Sequence, residues 1–262
     1  MSMTPSPTLV LVGAVALAVA SPRPAAAGGA KTLLASFFNV DETKIKSASG
    51  YRVTGVAAYT HIAIGSYQDT GGREQRIVAL AKCDDHRCTG QRVWLGAFES
   101  HLHGIVDLAG KPGPLRGTEV RASRDDWTTS LPLPAKRTKF PALVIEIRDE
   151  EPGEGTTRFG GTYSGTERHH HLLVVSLRKA DEKVPTVARL STEDTYPAGG
   201  GTSTSYRLEK GKQRALDIVG SEQRHLQKDS RCRRPEPVEV RYVLKDGRYE
   251  HFDAMLGRSG CH

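Results

Sequence analysis

No stretch of this sequence is apolar for long enough to cross a bilayer as a helix, which takes roughly 20 residues; the longest run, Leu9 to Ala20, has twelve. The short motifs that announce common chemistries are also missing. There is no G-x-S-x-G nucleophile elbow, because the GTYSG stretch from Gly161 to Gly165 places its serine one residue late. No H-E-x-x-H offers a pair of zinc ligands on a helix. Neither Gly110-Lys111-Pro112 nor Gly211-Lys212-Gln213 completes a phosphate loop, and the glycine-rich Ala198 to Ser205 lacks the lysine that loop requires. These absences remove the hydrolase-elbow, zincin and P-loop readings. A Ser-His-Asp site assembled from distant strands is a matter of geometry rather than order, but nothing in the sequence points to one, and no catalytic residue is assigned.

What the first 27 residues do contain is an address. Leu9 to Ala20 has the length of a signal-peptide core, Pro22 breaks it, and Ala25-Ala26-Ala27 suits a signal peptidase. No Lys or Arg precedes the core, so only the terminal amine supplies positive charge. A cut after Ala27 is expected, with Ala20 as the alternative. No cysteine stands near either point, which argues against a lipid-anchored amino terminus. The expectation is a secreted or periplasmic protein of residues 28–262 with no transmembrane segment in the mature chain. The leader carries one charge, Arg23, so its loss lowers the formal net charge of +7 by one. Such an excess favours solubility and weak attraction to anionic surfaces.

All four cysteines, Cys83, Cys88, Cys232 and Cys261, lie in the mature part. An even number in an exported chain points to two disulfides with three possible pairings. Local geometry favours Cys83–Cys88, clamping the mouth of a hairpin, and Cys232–Cys261, tying the last residues to a basic loop. The competing reading, a metal loop with His86 between two thiolates, needs free thiols that an oxidising compartment disfavours.

Helical signal is confined to the mature amino terminus. Lys31 to Phe38 has helix formers at apolar spacing, and Asp41 is placed to cap a second short helix that Gly50 ends. Beyond it the period is two. Ile77 to Cys83 and Arg92 to Phe98 flank the first cysteine pair as strand-like runs, and the first of them is apolar on both faces, as inner strands are. Leu143, Ile145 and Ile147 alternate with Glu146 and Arg148, the pattern of a half-exposed strand. Leu172 to Arg178 is apolar on both faces. Ser203 to Gln223 reads as a hairpin turning at Lys210-Gly211. In Pro237 to Phe252, Asp246-Gly247 suits a two-residue type I′ turn, which places Leu244 beside Tyr249 and Tyr242 beside His251 as packed sheet residues. Two glycine-rich polar stretches, Asp149 to Thr166 and Thr192 to Ser205, read as long mobile loops.

The expected fold is mainly β, with antiparallel sheets, sandwich-like or propeller-like, and a short N-terminal helix after the signal peptide. Residues 131–140, rich in proline and charge, are the expected boundary between β regions 28–130 and 141–262, unless the two form one continuous domain.

Among ten histidines, the H-x-H pair His101 and His103 falls in a strand-like run, and Asp107 lies on the same side by alternation. That set is how β scaffolds commonly hold zinc or iron. The surrounding Gly96 to Gly110 does not complete the first cupin motif: the gap from Gly96 to His101 is one residue short and Asp107 stands where glutamate belongs. His169, His170 and His171 read as a solvent-facing strand entrance, His169 and His171 pointing one way and His170 the other. The one concentrated basic stretch holds Arg224, Lys228, Arg231, Arg233 and Arg234 and suits an anionic polysaccharide or another cell-surface component. It lacks the interleaved aromatics of a nucleic-acid reader. The sequence therefore points to an exported binding or structural module without catalysis. The alternatives are a metal-binding protein or metal enzyme at His101, His103 and Asp107, and an anionic-surface binder through the basic loop.

Overall fold

The computed structural model describes residues 28–84, 87–96, 99–117, 119–120, 125–156, 160–179, 185–227 and 236–252. The leader, Lys228, Arg231, Cys232, Arg233, Arg234 and Cys261 lie outside the described residues, as does His86. Among the described residues, one α-helix, α1 (Ala30–Phe38), precedes fourteen strands. In chain order these are β1 (Ile45–Val53), β2 (His61–Gln68), β3 (Glu74–Cys83), β4 (Cys88–Gly96), β5 (Glu99–Asp107), β6 (Gly113–Pro114) and β7 (Thr129–Leu131). They continue with β8 (Pro141–Thr156), β9 (Thr162–Ser176), β10 (Thr186–Thr195), β11 (Gly199–Glu209), β12 (Asp217–Gln227), β13 (Val238–Lys245) and β14 (Arg248–Phe252).

The strands form two sheets. One has five strands in the order β4-β3-β2-β1-β7; the other has nine, β14-β13-β12-β11-β10-β9-β8-β5, with β6 paired to β11. Every pairing is antiparallel except β1 with β7. Neither sheet closes into a barrel. The segment from Ser130 to Phe140 carries the chain from the smaller sheet to the larger one. Strand β5, which precedes that segment, pairs with β8, which follows it.

Three apolar clusters hold these layers. The first lies between the sheets and draws Tyr51, Ile62, Val78, Leu80 and Val93 from one and Leu102, Leu143, Ile145 and Leu173 from the other. It makes the molecule a sandwich and disposes of the propeller. The second lies on the opposite face of the larger sheet, where Val144, Val174, Leu190, Tyr206, Ile218 and Val240 meet. The third sits under α1, whose Leu33, Leu34, Phe37 and Phe38 cover Ile77, Ala79 and Ala81. This explains why β3 is apolar on both faces: its odd residues lie under the helix and its even ones face the larger sheet. Burying a leucine or phenylalanine contributes about 1.5–3 kcal/mol, so α1 is held mainly by this face; its N-cap Gly29 has no side chain to cap it, and Asp125 accepts the Lys31 amide at 2.6 Å instead.

The helix ends as its sequence implies, with Asn39 in the left-handed region at φ 52. Asp41 caps only a single 3-10 turn, Glu42–Lys44, by accepting the Thr43 amide at 2.8 Å. The helical stretch expected to reach Gly50 is instead strand β1. Pairing with β2 and burial of Ile45, Tyr51 and Val53 outweigh the weak local preference. Cys83 and Cys88 are disulfide-bonded and are register partners at the end of β3 and β4. The last hairpin has the expected register, with Leu244 opposite Tyr249 and Tyr242 opposite His251, and both turn residues at positive φ. His251 is exposed, its ring edge-on to Tyr242 at 5.3 Å.

Three further expectations are corrected. Asp149 to Thr166 is for the most part not loop: β8 and β9 stay paired out to Thr156 and Thr162. Thr192 to Ser205 likewise belongs largely to β10 and β11, which turn between Tyr196 and Gly199. The glycines there make room for packing. A Cβ on Gly155 would lie 2.8 Å from Ala198, and one on Gly165 would lie 3.3 Å from Pro197, so the β10–β11 turn rests on the hairpin. Finally, Glu146 is not on a half-exposed face but is 1% exposed.

Candidate functional site

Glu146 is the most deeply buried charged residue described, and its surroundings account for it. Its Oε2 accepts from Arg116 at 2.8 Å and from Arg148 at 2.9 Å, and His103 Nε2 lies 3.2 Å away. The other ring nitrogen of His103, Nδ1, donates to the Gly117 carbonyl at 3.1 Å. Burial pushes the Glu146 carboxyl up, but the bonds from His103 and Arg148 and the charges of Arg116 and Arg148 outweigh it and hold it at about 2. A general base works best with a pKa near the operating pH. At about 2 this carboxylate is an internal strut, tying β5 and the segment after it to β8.

The structure does not bring His101, His103 and Asp107 together. A bulge interrupts the β5–β8 register between Leu102 and Gly104, where Gly104 has φ 89. Bulges shift the alternation by one residue, so Leu102 and Ile105 both face the inter-sheet core. Asp107 thereby passes to the other face from the histidines. Its oxygens accept the backbone amides of Ala109, Lys139 and Phe140 at 2.9–3.1 Å, building the corner that leads into β8. His101 Nδ1 meets Glu119 Oε1 at 3.0 Å instead. Among the described residues, no three histidine, cysteine or carboxylate side chains are grouped to hold a metal ion.

His101 borders a feature that periodicity alone did not reveal. At this end of the sandwich a cleft of about 490 Å³ opens between the sheets, lined by Ser47, Ser49, Tyr51, Arg76, Ser100, His101 and Glu119 over Ile64, Leu102 and Val120. On β1 the inward positions run Ser47, Ser49, Tyr51, Val53. The register sets Ser47 beside Ser66 and Ser66 beside Arg76 in one row across the inner face. The next rows, Ser49–Ile64–Val78 and Tyr51–Ile62–Leu80, are progressively apolar. Small hydroxyls stand where a closed sandwich would carry valine or isoleucine, and the layers stay apart. The Ser47 and Ser66 hydroxyls are 2.8 Å apart, and Arg76 donates to Ser47 at 3.4 Å while pairing with Glu74 at 3.2 Å. Burial and the nearby Glu119 push the Tyr51 hydroxyl up to about 12, so it is a donor at neutral pH. His101 Nε2 is buried without a hydrogen-bond partner. The available signal was the alternation of Ser47, Ser49 and Tyr51, hidden by reading that stretch as helix.

The histidine triplet keeps its expected alternation, but His170 is buried and the other two are half-buried. His169 Nδ1 meets Asp194 at 2.8 Å. His170, 8% exposed, lies between Glu150 at 3.2 Å and Glu193 at 3.3 Å, carboxylates that Arg168 also approaches. His171 faces the other way beside Ile147 and Ser191, and burial, then Arg189 and His169, lower its pKa to about 4. These rings are struts between three strands rather than an exposed entrance. Of the basic stretch, Arg224 pairs with Glu222 at 3.4 Å.

Comparison with protein-family models, with curated proteins and with solved structures gives no match.

Proposed function

We propose that this chain is an exported β-sandwich that binds a small hydroxyl-rich ligand, of the size of a mono- or disaccharide, in the inter-sheet cleft without converting it. One observation carries the reading: the inward row Ser47–Ser66–Arg76 keeps the sandwich open over about 490 Å³. Binding sites of this kind pair an apolar floor with a few convergent polar groups. The hydroxyls, Arg76 and His101 offer donors, Glu119 offers an acceptor, and Ile64, Leu102 and Val120 supply the floor. The reading without conversion follows the sequence, which holds no nucleophile elbow, H-E-x-x-H or phosphate loop. Export is supported by the leader-like first 27 residues and by the oxidised Cys83–Cys88 pair.

Calorimetric titration of residues 28–262 with a panel of neutral mono- and disaccharides tests the proposal. The expected result is one-to-one binding, weakened at least about tenfold by Ser49→Leu, which fills the cleft, with the sugar recovered unchanged. Binding that survives in a folded Ser49→Leu protein overturns the assignment of the cleft. A folded wild type that binds none of the panel overturns the ligand class.

A further inference from the structure

Two other clefts meet at a different place on the molecule, around the corner that Asp107 builds. One, of about 530 Å³, is bordered by Lys111, Arg137 and Lys139; the other, of about 640 Å³, by Lys139, Arg178 and Arg214. They share Ala109 and Lys139. All five cations are exposed, and none is paired with a described carboxylate. By contrast, Arg116, Arg148, Arg168, Arg207, Arg224 and Arg241 on or beside the larger sheet each meet an acid. The one carboxylate among the described linings is Asp107, and its oxygens are taken by three backbone amides.

We propose that these adjoining clefts form a binding track for a linear acidic polysaccharide, independent of the sugar-sized cleft between the sheets. Five like charges held near one another without counter-charges raise the local potential and recruit anions. Their spread over two clefts joined at Lys139 suits a chain with repeated charges better than one small anion. Single-stranded nucleic acid is disfavoured because its binders stack bases on exposed rings. Here the one aromatic side chain in the linings, Phe140, is 6% exposed and carries the Arg178 guanidinium 4.7 Å from its centre. The large apolar side chains exposed among the described residues, Tyr196 and Phe252, border neither cleft.

The test uses residues 28–262 and a defined heparin fragment, with binding followed against salt. Reversing Arg137 and Arg214 to glutamate leaves the Arg178–Phe140 contact intact and touches only exposed side chains. It is expected to weaken binding at least about tenfold near 0.15 M salt and to flatten the salt dependence. Reversing Arg231 and Arg233 instead is expected to leave most of the affinity in place. The proposal is overturned if Arg137→Glu/Arg214→Glu protein, folded by circular dichroism, binds the fragment as wild type does. It is equally overturned if the Arg231 and Arg233 reversals abolish binding, or if oligo-dT of equal charge binds more tightly than the fragment. Because the probe is charged and the inter-sheet cleft is tested with neutral sugars, either proposal can fail alone.

Discussion

Replacing Glu146 by glutamine keeps the shape of the side chain and removes its charge, which isolates what the ionised carboxylate contributes. In the folded protein its pKa is about 2 against an ordinary 4.5. A carboxylate depressed in this way contributes stability that is present above 4.5 and is lost as pH falls toward 2. At about 1.4 kcal/mol per unit, the charge is worth about 3 kcal/mol at pH 7. Two features bring the cost of Glu146→Gln below that of breaking a sealed ion pair, about 3–5 kcal/mol. The Arg116 and Arg148 side chains are 45% and 31% exposed and can turn to water, and only His103, at 3%, is stranded. The expected loss is therefore about 2–3 kcal/mol at pH 7. Urea denaturation of both proteins at pH 7 and pH 3 checks it. By pH 3 the wild type has itself surrendered about 2 kcal/mol of the charge contribution, so the gap between the two proteins should shrink by about that much. A gap equally wide at both pH values would show that ionisation of the carboxylate is not what stabilises the fold, and no gap at pH 7 would refute the strut altogether.

Two more outcomes follow from the larger sheet. His171 is held neutral, with its pKa lowered from 6.5 to about 4, so stability present above 6.5 should be lost as pH falls toward 4. His171→Gln should flatten that leg of a denaturation-versus-pH curve while leaving the steeper loss below 4.5. An unchanged curve would mean that the ring is not buried as described. Gly155→Val places a branched side chain against Ala198, 2.8 Å from the added Cβ, and should cost about 1–3 kcal/mol. Amide exchange should then quicken in β9 and the β10–β11 turn before the inter-sheet core; uniform exchange across the protein would count against this packing.

The parts legible in the sequence are those set by neighbours along the chain. The last hairpin is one, because the Asp246-Gly247 turn fixes which residues stand opposite each other. The helix Ala30–Phe38 is another, and so is the mainly β class. Strand β3 announced burial on both faces, although not that one side lies under a helix and the other under a second sheet. What failed depended on partners far away. Asp149 to Thr166 and Thr192 to Ser205 look like loops because glycine has little strand preference of its own. The first becomes strand because its two arms pair with each other, the second because β10 and β11 pair across their own turn and with β9 and β12; the glycines of the first leave the space that the turn of the second fills. The metal set failed for a related reason: alternation put Asp107 beside His101 and His103, but a bulge at Gly104 reverses the faces, and a bulge is decided by the ladder as a whole. Glu146 was readable as the polar side of a strand. Only the tertiary structure, which brings Arg116 and His103 against it, turned an exposed carboxylate into a buried one. Local chemistry settles where this chain turns and what alternates; which face meets water is decided by whatever strand or sheet arrives opposite.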